Sequence, residues 1–487
     1  MFHNLPIAIE NKDLLGLLLL LTGTVFTAAV LTAWRGLRPL ALFGIAAALA
    51  GTRFLDLNIA SAYWYRGTTR GFEFTALDVL ALGLLLSLVI VPRGERPRWF
   101  FPASLGLMGL FTCYCLVTTL LAEPAIFGLY EVLKLMRGMV FFLALALYIR
   151  TERDLAIIAV ALVASVGLQT LVALRERYLL TMYRPGGTLD HPNSLSMYLC
   201  LVTPLLAAGA CAPWNAWVRR ACWLGVLLAA STMLLTLSRA GLPVFVLTVG
   251  ATLLLCSSWE ITPTRLAGGF LAMVLLGGLV VNAWPFLVER YGQSTLREEY
   301  FDAPGESRGY YFRQAGVILD HRPFGVGLNN WSYWVSREYG KPLGMYYENY
   351  DDLVYAPPSD VAPMYRFAAP AHNLGVLTVA ELGWAGLALM LALWLRWLQM
   401  GASFALSREP SVFRRIGTGV FGGMVGVLLQ SFTEWTFRQT QIFLMFNVLA
   451  GTLAALYALR AAERRAAREE AEAEAAAAWD AAPEIAR

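Results

Sequence analysis

Apolar runs of roughly twenty residues, separated by short polar or Gly/Pro-rich turns, recur along nearly the whole chain. A helix rises about 1.5 Å per residue, so each run can cross the roughly 30 Å hydrocarbon core of a bilayer. The pattern predicts spanning segments at 14–34, 39–54, 76–91, 101–121, 127–149, 155–174, 194–212, 221–237, 241–257, 266–288, 374–397, 416–432 and 442–459. The second is the weakest, because Arg53 and Asp56 intrude on its end. The expected fold class is an all-α polytopic membrane protein of about 12–13 transmembrane helices, with one large loop that itself contains helices. Residues 1–288 then form N-terminal transmembrane helices, 289–372 the large loop, 373–460 the C-terminal transmembrane helices and 461–487 a tail rich in Ala, Glu and Arg.

Charge placement orients this array. Short loops carry Arg93, Arg96 and Arg98, then Arg150 and Arg153, Arg219 and Arg220, and Arg408, Arg414 and Arg415, while Arg460, Arg464, Arg465 and Arg468 follow the last run. Basic residues in short loops mark the cytoplasmic side. Alternation then puts 289–372 on the opposite side, which in a bacterial-type membrane is the periplasm. Residues 1–13 carry both charge signs with no small-residue cleavage site after them, so the first apolar run is expected to stay as a helix.

Composition narrows the chemistry. Of 487 residues, 58% are hydrophobic and 15% charged, where a soluble domain has about 25% charged residues. The six cysteines lie in or beside apolar runs without a CxxC spacing, so they read as buried thiols, and no metal site or cofactor is expected. No P-loop and no GxGxxG after a strand is present. Energy for any reaction must come from the substrate, and a nucleic-acid partner is not expected.

The large loop carries Arg297, Arg308, Arg313 and Arg322 and closes on His372-Asn373. Residues 307–319 have helical character, with Phe312, Ala315, Gly316 and Leu319 at helical spacing, so this helix can lie flat on the bundle with Arg313 along the membrane surface. His321, before a proline turn, reads as structural. Tyr333, Trp334, Tyr339, Tyr346, Tyr347, Tyr350, Tyr355 and Tyr365 offer either a stacking surface for sugars or interfacial anchors. Glu348, Asp351, Asp352 and Asp360 balance charge and are within the chemistry of sugar hydroxyls.

Two more junctions fall on the same side. Arg184 precedes Gly186-Gly187, a pair that permits positive φ and close approach of a ligand, or simply an ordinary turn. Arg239, in Ser238-Arg239-Ala240-Gly241, sits where the positive-inside trend asks for no arginine. It is a site candidate or a snorkelling side chain. Glu381 lies nine residues beyond His372, about two and a half turns, nearly on the opposite face, so a neighbouring helix or an inward arginine is its expected partner. Glu131, Lys134 and Arg137 stripe one helix face, as an internal ion pair or a phosphate contact.

In this order, Arg184…Gly187…Pro192-Asn193, Ser238-Arg239-Ala240-Gly241, Arg313…Asp320-His321-Arg322-Pro323-Phe324-Gly325-Val326-Gly327 and His372-Asn373…Glu381-Leu382-Gly383 resemble the O-antigen ligase and O-antigen polymerase superfamily of bacterial envelope glycosyltransferases. The resemblance covers roughly 184–386; upstream, only hydropathy agrees. It departs at His191, where the family more often has a small or polar residue, and in the Tyr-rich half of the loop, which leaves acceptor identity open.

The resemblance implies a metal-independent, inverting enzyme of the GT-C type in the bacterial inner membrane, its active site facing the periplasm. It would transfer a glycan from undecaprenyl diphosphate to lipid A–core as a ligase, or to a second lipid-linked glycan as a polymerase. The diphosphate leaving group asks for fixed positive charge, and arginine supplies it bidentately. Arg184, Arg239 and Arg313 are the expected contacts, with Arg308 beside them. His372 is the expected base near neutral pH, or a hydrogen-bond donor to the diphosphate. Asn193, Gly187, Asn373 and Glu381 are expected to support the site. A transporter of lipid-linked sugars would instead show internal repeats and charges near mid-membrane, and a structural scaffold leaves the clustered arginines unexplained.

Overall fold

The computed structural model describes residues 11–51, 56–62, 65–90, 101–189, 191–257, 263–292, 298, 308–341 and 368–480. Arg297, Tyr346, Tyr347, Tyr350, Tyr355, Tyr365, Glu348, Asp351, Asp352 and Asp360 lie outside them.

The protein is an all-α polytopic membrane protein. In chain order the helices are α1 (Asn11–Ala33), α2 (Arg38–Ala48), α3 (Ala76–Ile90), α4 (Leu105–Leu121), α5 (Ala125–Tyr148), α6 (Glu152–Leu174), α7 (Pro192–Cys211), α8 (Ala216–Thr236), α9 (Gly241–Cys256), α10 (Pro263–Gly292), α11 (Arg308–His321), the single turn α12 (Trp331–Trp334), α13 (Leu374–Ala405), α14 (Val412–Gln430) and α15 (Thr440–Asp480). Among the described residues seven helices are long and apolar enough to cross a membrane, and α3, α4 and α9 are shorter apolar helices.

The second expected span is corrected. α2 ends at Ala48, too short at 11 residues to cross a bilayer. The chain turns instead into an antiparallel hairpin, β1 (Asp56–Ile59) against β2 (Phe72–Thr75), in register Asp56↔Thr75 to Ile59↔Phe72. Pairing satisfies the backbone of this polar stretch, which a helix crossing lipid could not carry cheaply.

α7 is the central helix, buried along almost all its length between α8, α9 and α14. α14 approaches it through small residues. A Cβ at Gly423 would fall 2.1 Å from the Leu201 carbonyl, and one at Gly419 2.7 Å from Leu205 Cα. Lipid tails are as apolar as leucine, so close backbone packing of this kind is what holds helices together in a membrane.

α13 carries the second structural device. It breaks at Gly383, whose φ of 67° and ψ of −174° interrupt the helical ladder. The carbonyls released by the break are not left bare. Ala380 accepts from Val326 N at 3.0 Å, Glu381 from Gly327 N at 2.8 Å and Leu382 from the Tyr114 hydroxyl at 2.7 Å. The turn from Pro323 to Gly327 therefore docks by its backbone into the gap. A Cβ on Gly325 would meet the Glu381 carbonyl at 2.4 Å, so no larger residue fits that seam unmoved.

Beneath this seam lies a buried ionic network. Arg438 donates from Nε to Glu131 at 2.6 Å and from Nη1 to Glu381 at 2.9 Å. Lys134 pairs with Glu131 at 2.7 Å and donates to the Arg438 carbonyl at 2.6 Å. Glu381 also accepts from the amides of Asn329 at 2.9 Å and Trp331 at 3.2 Å. Arg137 pairs separately with Asp78 at 2.8 Å. Two carboxylates thus balance two cations, with amides on the remaining lone pairs, the condition under which buried charge is tolerated. The network fastens the large loop to α5, α13 and the turn before α15.

Candidate functional site

At one end of the bundle six junctions meet: the segment leading into α7, the α8–α9 turn, the end of α10, the start of α11, and the residues before α13 and between α14 and α15 that face them. Polar side chains join them into a chain. Arg184 donates from Nε to the Thr236 carbonyl at 2.9 Å and from Nη2 to Asn193 Oδ1 at 2.8 Å. Asn193 turns its amide the other way and donates to Glu434 Oε1 at 2.7 Å. Glu434 Oε2 lies 2.7 Å from His372 Nδ1.

Local sequence explains the placement. His191 caps α7, its Nδ1 accepting from Asn193 N at 3.2 Å, which fixes Asn193 on the first turn. Asn373 caps α13, accepting from Val376 N at 3.0 Å and donating to the Phe432 carbonyl at 2.9 Å. The residue before it, His372, is thereby set at the mouth of the helix and against the 431–435 turn. Side-chain caps satisfy amides that a helix start leaves orphaned.

A pocket opens beside this chain, lined by Arg184, Arg239, Arg290, Arg308, Ser238 and Glu434 among others. Among the described residues that line it, four arginines face one carboxylate, an electropositive lining. Burial, reinforced by Arg290 and Arg239, pushes the Arg184 guanidinium down to about 10. It stays charged at neutral pH, and an anion would relieve the repulsion it feels. Burial pushes the Glu434 carboxyl up, but the His372 hydrogen bond and the charges of His372 and Arg308 outweigh that and hold it below the usual carboxylate range. An ionised carboxylate only accepts. Nδ1 of His372 is therefore the donor in this pair, which in the neutral ring leaves the lone pair on Nε2, and the ring is partly exposed.

The expected site residues distribute unevenly. Arg184, Asn193, Arg239 and Arg308 line the pocket, and His372 borders it through Glu434. Arg313 sits on an exposed face of α11, about 140° round the helix from Arg308 at 100° per residue. Glu381 is spent in the Arg438 network, and its partner is an arginine rather than His372. Gly187 adopts φ 62°, yet its amide and that of Gly186 donate to Glu176 at 2.8 and 2.9 Å, so this turn is closed by the chain's own carboxylate. Glu131 and Lys134 are internal, as is Arg137 on Asp78.

Glu434, Arg290 and Arg438 escape a reading of the sequence alone. The signal for them is the one that marks Arg239: ionisable residues at junctions between apolar runs on the side that positive-inside bias leaves uncharged.

Residues 224–391 match the family model described as O-antigen ligase. The match takes in Arg239, Arg290, Arg308 and His372, and stops short of Arg184 on one side and Glu434 on the other. No curated protein matches the chain.

Proposed function

We propose, on the match of residues 224–391 to the O-antigen ligase family model, an O-antigen ligase that works at the periplasmic face of the bacterial inner membrane. The donor is a glycan on undecaprenyl diphosphate and the acceptor a sugar hydroxyl of lipid A–core. The observation that carries this reading is the pairing of an electropositive pocket, four arginines against one carboxylate, with an imidazole oriented by that same carboxylate.

The diphosphate lies against Arg184, Arg239, Arg290 and Arg308. Its negative charge grows as the C1–O bond breaks, and preorganised cations stabilise that growth more than they stabilise the ground state. His372 Nε2 takes the proton from the acceptor hydroxyl while its oxygen forms the new bond to C1. Glu434 holds the ring in the tautomer this requires and stabilises the imidazolium that results, the role a carboxylate plays behind a catalytic histidine. Attack opposite the leaving diphosphate inverts the anomeric centre. Arg313, on the exposed face of α11, contributes to the approach of the anionic donor.

Purified protein given a labelled undecaprenyl-diphosphate glycan, with lipid A–core in one reaction and a second lipid-linked glycan in another, tests this. Label on lipid A–core supports the ligase, and label only in lengthened lipid-linked glycan makes the protein a polymerase. No transfer to either, with donor intact, rejects glycan transfer.

A further inference from the structure

At the other end of α11 from the arginine pocket is a cavity of about 500 Å³, within the roughly 300–1,000 Å³ usual for small-molecule sites. Its walls are the end of α4 with Glu123, and the turn from His321 to Gly327, with Trp334 closing one side. None of these residues takes part in the pocket of Arg184 and His372. We propose that this cavity is a saccharide subsite, which holds sugars of a glycan remote from the bond that breaks. This rests on the glycan-transfer reading above and adds a site to it.

Charge separates the two cavities. The first sets four arginines against Glu434 and suits an anion. The second sets Arg322 against Glu123, close to neutrality, beside His321. A neutral polyhydroxylated ligand fits that balance, since a guanidinium and a carboxylate can donate to and accept from neighbouring hydroxyls. Aromatic surface completes the chemistry. Arg322 lies over the Trp334 ring at 5.2 Å, Trp334 Nε1 is held by the Glu123 carbonyl at 2.8 Å, and Phe324 is 78% exposed at the rim. Sugar rings pack their C–H faces on exposed rings such as that of Phe324.

One helix and one docked turn relate the cavity to the chemistry. α11 begins at Arg308 in the first pocket and ends at His321 in the second, and its 14 residues span about 20 Å. The turn that forms the floor is bolted to α13 through the Val326 and Gly327 amides. A ligand in the cavity therefore sits several sugars from the reacting carbon.

The test uses full-length protein and the variants Arg322→Ala and Phe324→Ala. Phe324 is so exposed that its truncation leaves the core intact, which keeps the test valid if Arg322→Ala folds poorly. In one arm, undecaprenyl diphosphate carrying a single sugar is compared with the same carrier bearing several repeats, at fixed acceptor. In the other, a truncated acceptor sugar is compared with the full one, at fixed donor. The ratio of kcat/KM, long over short, is expected to fall about tenfold in both variants, through KM rather than kcat. A fall in the donor arm assigns the cavity to the donor glycan, and a fall in the acceptor arm to the acceptor. Wild-type transfer without length preference in either arm, or equal proportional loss on long and short substrates, overturns the subsite. Wild-type protein that transfers nothing in any arm overturns the functional reading itself.

Discussion

His372 and Glu434 stand 62 residues apart in the chain and 2.7 Å apart in space, Nδ1 to Oε2. One precedes α13, the other lies between α14 and α15, and the packing of those helices brings them together. Glu434 also accepts from Asn193, which holds Arg184, so base and anion pocket share one scaffold.

Glu434→Gln keeps the shape and removes the charge behind His372. A positioned general base contributes about 10²–10⁴-fold to rate. The variant is expected to lose about tenfold to a hundredfold in kcat with little change in KM. Combined with His372→Ala it should lose no more than His372→Ala alone, because the two act as a unit. Additive losses, read from kcat of the three proteins, would separate them.

The same carboxylate gives a pH signature. Its value in the folded protein is held below the ordinary one of about 4.3. The contribution to stability is then fully present above the ordinary value and lost as pH falls through the folded one. Melting of the detergent-solubilised protein should show wild type above Glu434→Gln near neutral pH, with the gap closing as pH drops below about 4.3. A gap that stays constant to low pH would place the stabilisation elsewhere.

Arg438 answers two buried carboxylates at once. Removing one partner of a buried pair leaves an uncompensated charge and costs about 3–5 kcal/mol. Arg438→Ala is expected to lower the melting temperature sharply and to reduce the folded yield, while the exposed Arg313→Ala leaves both within error. Similar melting of the two proteins would contradict the keystone role of the network.

Gly383 is required by conformation and by space together. At φ 67° an added Cβ is strained and would lie 2.8 Å from the Pro323 carbonyl. A strained backbone position costs on the order of 1–3 kcal/mol. Gly383→Ala should destabilise the docking of the Pro323–Gly327 turn, seen as faster amide exchange at Val326 and Gly327. Unchanged exchange there would show that the break tolerates a side chain.

Much of this architecture can be read from the residues because a bilayer is a strict solvent. Apolar length, Pro/Gly turns and basic loops are local signals, and they locate the helices. The expected span at 39–54 stops short as α2 where Arg53 and Asp56 already disturb the pattern, and the hairpin that follows pairs segments separated by a loop. Arg184, Arg239 and His372 stand out as polar groups at apolar boundaries. Glu434 stands in the same kind of place, but nothing periodic links it to His372 across the two helices between them. Spacing alone excludes Glu381 as the partner of His372, yet only packing shows that Arg438 takes it. The glycines divide similarly. Gly187 has the positive φ its sequence suggests, and the ligand its amides meet is the chain's own Glu176.

Transfer by His372→Ala, measured alongside its binding of the lipid-diphosphate donor, bears on the central claim most directly. With the arginine pocket untouched, donor binding should stay within about twofold of wild type. Transfer of labelled glycan should fall at least about a hundredfold, the lower end of what a general base contributes. Full transfer by His372→Ala would contradict the account.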